Sequence, residues 1–138
     1  MRQHIRGTIL LVAGIAILAS AMLHGVVNVP HLHEDLLELG VRRTLIGAVA
    51  LVLYFSVVAM FAFATLVLSN AVGSLRGNQQ QQAPLWIVAA TYVLFGAAGF
   101  LLVSRSPHML GYTFMGLLVA AGAAISSTHA GKGMRGAA

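Results

Sequence analysis

Four long stretches without a charged side chain constrain this sequence more than any other feature. They are the segments 7–29, 44–70, 85–103 and 108–128. An α-helix rises about 1.5 Å per residue and needs about 20 apolar residues to cross a bilayer. The strands of an outer-membrane barrel would be about 10 residues long and would alternate in polarity, which these stretches do not. The sequence therefore predicts an all-α integral membrane protein, with a single transmembrane domain that forms a four-helix bundle.

The composition of the chain leads to the same class and excludes several others. Hydrophobic residues make up 59% of the 138 residues, charged residues only 8%, and the mean hydropathy is +0.89. A soluble domain usually has about 25% charged residues. The chain has no cysteine, which excludes disulfides, thiolate metal sites and cysteine nucleophiles. The basic residues are scattered in short clusters, so no nucleic-acid partner is predicted.

A faint internal repeat, in which residues 29–32 resemble residues 106–109, predicts that the spans form two similar helical hairpins. After the first span, residues 30–39 have the pattern of a short amphipathic helix, with three leucines on one face: Leu32, Leu36 and Leu39. Pro30 is typical of a first helical turn and Gly40 of a helix end. We therefore predict that Pro30 ends the first span and that 30–39 forms a helix in the membrane interface, with its leucines towards lipid.

The distribution of basic residues predicts the orientation of the chain. One set of ends and loops would carry Arg2, Arg6, Arg76, Lys132 and Arg135; the other would carry Arg42, Arg43 and Arg105 together with all three acids. Basic residues are enriched on the cytoplasmic side of membrane proteins. The sequence thus predicts a protein of the bacterial inner (plasma) membrane with both termini in the cytoplasm.

Histidines and carboxylates cluster after the first span, where they form a candidate metal site. The predicted ligands are His24, His31, His33, Glu34, Asp35 and Glu38, and the predicted topology brings His108 to the same membrane face. Imidazole and carboxylate ligands without thiolate suit Zn²⁺, Cu²⁺ or Fe²⁺. The alternative is that these side chains are the solvated face of an interfacial helix.

His24 has a second interpretation because it lies within an apolar span. Ionisable residues inside a membrane are costly and are therefore candidates for function. His24 and His108 are a predicted pair of cofactor ligands for a b-type haem, and His24 alone could contact a quinone or relay a proton. The alternative is a neutral imidazole that is hydrogen-bonded between helices, as Ser20 and Asn28 could also be.

Three functions are compatible with these features. The first is a non-catalytic subunit or accessory protein of a larger membrane complex, because the spans contain no charged residue and carry small-residue faces at Gly96, Gly99 and Gly116. The second is a metal-handling membrane protein, and the third is an electron-transfer protein associated with haem or quinone. In each case the predicted partners are the lipid bilayer and other membrane subunits or further copies of the chain.

Overall fold

The structure is a computed structural model that describes residues 1–78, 81–103, 105 and 107–125. Within these residues the chain forms helices and no strand. The α-helices are α1 (Arg2–Leu23), α2 (Val29–Glu38), α3 (Arg43–Leu75), α4 (Ala83–Ala98) and α5 (Pro107–Ala124). Two π-helical turns, His24–Asn28 and Gly99–Val103, extend α1 and α4. The all-α prediction is therefore confirmed for the described residues.

Three helical segments are long and apolar enough to cross a membrane. They are Arg2–Glu38, Arg43–Leu75 and Ala83–Leu102. At about 1.5 Å per residue the first two exceed the roughly 30 Å of a hydrocarbon core. The helix α5 is not among the three, and the end predicted for the fourth span, residue 128, lies outside the described residues. Three of the four predicted spans thus have matching helices, and the four-helix bundle remains a prediction.

The helix does not end at Pro30, where the sequence predicts the end of the first span. A π-helical turn precedes this proline, and the backbone N–H of Val29 donates to the carbonyl of His24, five residues earlier. Proline lacks an N–H, and its ring crowds the carbonyl four residues before it in an α-helix. The wider π turn shifts the hydrogen-bond register by one residue. Helix α2 therefore continues directly from α1, and Arg2–Glu38 is one uninterrupted helical segment.

Helix α2 ends at Glu38, and Gly40 follows two residues later, where the sequence predicts a helix-ending glycine. Gly40 has a φ of +70°, which favours glycine because it has no Cβ. Its N–H donates to the carbonyl of Leu37, and the N–H of Val41 donates to that of Leu36. These two hydrogen bonds form a Schellman motif. The chain then turns into α3, so that α2 and α3 form a helical hairpin.

The apolar face of α2 lies against α3. Eight residues from the two helices enclose a narrow space with no room for a water molecule: Val29, Leu32, His33, Leu36, Ile46, Val49, Ala50 and Leu53. The leucines at 32 and 36 therefore pack against a helix of the same chain. The prediction that these leucines face lipid differs from this arrangement, because the hairpin turn brings the more apolar helix α3 within reach.

The chain divides into two compact units. Unit 1 comprises Met1–Ala13 and Leu66–Ala138, and unit 2 comprises Gly14–Thr65. Unit 2 contains the hairpin of α2 and the first part of α3, together with the last part of α1. Unit 1 contains the beginning of α1, the end of α3, and the helices α4 and α5.

In unit 1, α4 and α5 pack closely in antiparallel orientation through glycines. A Cβ added at Gly96 would lie 2.5 Å from the backbone nitrogen of Thr113, and one at Gly116 would lie 2.8 Å from the carbonyl oxygen of Ala89. Small residues allow helix backbones to approach in this way. The close-packing role predicted for Gly96 and Gly116 is confirmed. Tyr112 contributes an edge-to-face ring contact with Phe95, with centroids 5.3 Å apart.

Arg6 is buried where the first turns of α1 meet the last turns of α3 and α5. Its Nε donates to the carbonyl of Gly122 at 3.1 Å, and its Nη1 donates to Ser74 Oγ at 2.9 Å. Only 3% of the residue is exposed. A cation near two helix C-termini is favoured by the partial negative charge of their unpaired carbonyls. Arg6 therefore joins three helix ends within unit 1.

Candidate functional site

Unit 2 contains six of the seven predicted site residues, and the structure brings His24 and Asn28 together. The side-chain amide of Asn28 lies 3.3 Å from Nδ1 of His24, on the surface of the π-helical turn. The five-residue turn places these side chains on one face. His24 is half-buried and Asn28 is exposed. This contact lies within one helical segment, whereas the alternative interpretation of His24 predicts a hydrogen bond between helices.

The predicted metal ligands do not converge. Among the residues that the structure describes, no three His, Cys, Asp or Glu side chains form a group that could hold a metal ion. His31 Nδ1 and Glu34 Oε2 are 3.9 Å apart, and both side chains are 72% exposed. His33, Asp35 and Glu38 are also exposed. The carboxylates and His31 thus form the solvated side of α2, and the prediction of a metal site has no structural support.

The second predicted cofactor ligand, His108, belongs to unit 1. It lies in the first turn of α5, whereas His24 belongs to unit 2. The interpretation of these two histidines as a haem pair stays a prediction. So does the quinone contact of His24.

A cleft lies between α2 and the start of α3, at the closed end of the hairpin. Its volume is about 340 Å³, and it is lined by His33, Leu37, Arg43, Ile46 and Gly47. From the sequence, His33 is predicted only as a metal ligand and Arg43 only as an orientation signal. Neither residue type alone indicates a cleft. The predicted hairpin could have indicated the cleft, because the turn brings residue 33 opposite residues 43 to 47.

One face of α3 in unit 2 consists of large exposed side chains. Leu51, Tyr54, Phe55 and Val58 are 51–73% exposed and recur at spacings of three and four residues. We call these four residues the α3 outer face. Only 11% of the most apolar membrane-length window of α3 is buried. An exposed apolar surface of this kind marks contact with a membrane or with another protein.

Comparison with known protein families, characterised proteins and solved structures returned no match.

Proposed function

We propose that this chain is an integral protein of the bacterial inner membrane, with its termini in the cytoplasm, and a non-catalytic subunit of a larger membrane complex. The α3 outer face is the surface that contacts the partner subunit. The observation that carries the proposal is the exposure of this face on a helix that is long and apolar enough to span a membrane. In water such a surface would cause aggregation, whereas in a bilayer it is covered by lipid or by another helix.

Two polar groups favour a protein partner over lipid alone. Within the described part of the chain, the hydroxyl of Tyr54 makes no hydrogen bond, and Nε2 of His24 has none either. Both residues lie in apolar helical segments. Lipid tails offer no acceptor, and an unsatisfied polar group in hydrocarbon costs several kcal/mol by order of magnitude. A neighbouring helix of another subunit would provide the missing acceptors.

Site-specific crosslinking in membranes of the native cell tests the proposal. The chain has no cysteine, so a single F55C substitution gives one attachment point for a photoreactive maleimide. We expect one discrete adduct with another membrane protein, because Phe55 belongs to the α3 outer face and is 73% exposed. The measurement is the mass and identity of the crosslinked product.

The matched control is V52C. Val52 is 64% exposed and lies about 60° around the helix from Phe55 and about 100° from Leu51, outside the α3 outer face. The control should give no protein adduct or far less of the same adduct. Equal adducts from both positions, or lipid adducts alone from position 55, would contradict the proposal. Alkaline carbonate extraction beforehand establishes whether the chain is an integral membrane protein at all.

A further inference from the structure

We propose that the cleft between α2 and α3 binds the headgroup of an acidic phospholipid. This inference rests on the proposed membrane location and identifies a ligand that the proposed subunit role does not require. The cleft has a volume of about 340 Å³, near the lower end of the roughly 300–1,000 Å³ typical of small-molecule sites. Its size suits a phosphate with part of its glycerol group.

The cleft lining carries positive charge and hydrogen-bond donors. Arg43 contributes a guanidinium, whose planar set of donors matches phosphate oxygens in pairs. His33 adds an imidazole, which donates a hydrogen bond in either tautomer or when charged. The three acids of the chain lie on α2, at Glu34, Asp35 and Glu38, and none of them lines the cleft. The lining is thus complementary to an anion.

The remaining lining favours a lipid over a free phosphate ion. Leu37 and Ile46 contribute apolar side chains to the lining, alongside the two nitrogen-bearing ones. Two further leucines close in sequence to lining residues are exposed, Leu39 by 78% and Leu45 by 52%. Apolar side chains next to a cationic pocket provide a surface for acyl chains, whose burial is favourable. A free phosphate would gain nothing from these residues.

Gly47 leaves the cleft open. A Cβ added at this position would have no atom within 4 Å, so no neighbouring protein atom would clash with a side chain there. Leucine also has a better helix propensity than glycine. A G47L variant should therefore fold while reducing the free volume of the cleft, which makes it a test that changes no charge.

Measuring lipid binding to the whole chain tests the proposed site. The probes are phosphatidylglycerol and zwitterionic phosphatidylcholine, added to detergent-purified protein and followed by native mass spectrometry. We expect the wild type to prefer phosphatidylglycerol, and R43Q to bind it about tenfold more weakly, because one charge-assisted phosphate contact is lost. R42Q is the control: Arg42 is adjacent, exposed and equally charged but does not line the cleft.

Each outcome decides for or against the site. Weaker phosphatidylglycerol binding by R43Q and G47L, with little change in binding by R42Q, supports the lipid site. Equally weakened binding by R42Q and R43Q would indicate general attraction of the lipid to a basic surface, and would overturn the proposed site. Competition by inorganic phosphate as effective as that of phosphatidylglycerol would overturn the lipid assignment. If R43Q does not fold, H33A with H31A as its control gives the same comparison, since His31 does not line the cleft.

The same preparation separates this inference from the proposed function. A chain that carbonate removes from membranes would contradict the membrane location itself. A chain that stays in the membrane and crosslinks through position 55, but shows no preference for phosphatidylglycerol, would contradict only the lipid site.

Discussion

Replacing Gly96 with alanine is expected to destabilise the protein by about 1–3 kcal/mol, the usual cost of overpacking a close contact. The added Cβ would lie 2.5 Å from the backbone nitrogen of Thr113 and 2.7 Å from the carbonyl oxygen of Met109. Backbone atoms cannot rotate away as a flexible side chain does, so α4 and α5 would have to separate. The measurement is the free energy of unfolding in detergent micelles, followed by circular dichroism during titration with a denaturing detergent.

Gly111 provides the matched control for this prediction. It lies on α5, and a Cβ added there would meet no atom within 4 Å. The substitution G111A should be neutral, or stabilising by up to about 1 kcal/mol because alanine favours a helix. G116A should resemble G96A, since its Cβ would lie 2.8 Å from the backbone nitrogen of Val93. Equal stabilities for G96A and G111A would show that α4 and α5 are not packed as described.

Replacing Arg6 with alanine is expected to cost about 2–4 kcal/mol of folding free energy. The change removes two hydrogen bonds from a charged group, to the carbonyl of Gly122 and to Ser74 Oγ, and leaves a cavity. R6M should lose less folding free energy than R6A, because methionine fills much of the volume of the arginine side chain and carries no charge that burial desolvates. Thermal and detergent unfolding of the two variants measure the difference.

Arg76 serves as the control for Arg6. It is exposed at the end of α3, and R76A should change stability by no more than about 0.5 kcal/mol, as is usual for a surface position. A loss of stability in R76A as large as that in R6A would indicate that total positive charge matters and not the buried contacts. A stable R6A would contradict the role of Arg6 as the residue joining three helix ends.

The sequence predicts three of the long helices because each contains an apolar stretch of about 20 residues or more without charged side chains, which is typical of a membrane-length helix. Gly40 and Gly96 were also predictable, since a left-handed turn and a close helix contact each require a residue without a Cβ. Local patterns of this kind need no knowledge of the tertiary arrangement.

The remaining features depend on distant residues, which a local pattern does not contain. Pro30 is a helix terminator by local rules, but the preceding π turn lets the helix continue. By local rules Arg6 is an orientation signal, yet its side chain is buried and contacts residues more than 65 positions away in the sequence. The histidine and carboxylate cluster is dense in sequence and still does not converge, because the outer side of α2 faces away from its packing partner.

The mass of the protein extracted from native membranes in polymer nanodiscs, without detergent, tests the central claim most directly. The chain has a mass of 14.4 kDa. We predict that it occurs in a larger particle with a different membrane polypeptide at a fixed ratio, and that alanine replacements at Leu51, Phe55 and Val58 release it. Particles that contain only this chain and lipid, unchanged by those replacements, would contradict the assignment of a complex subunit.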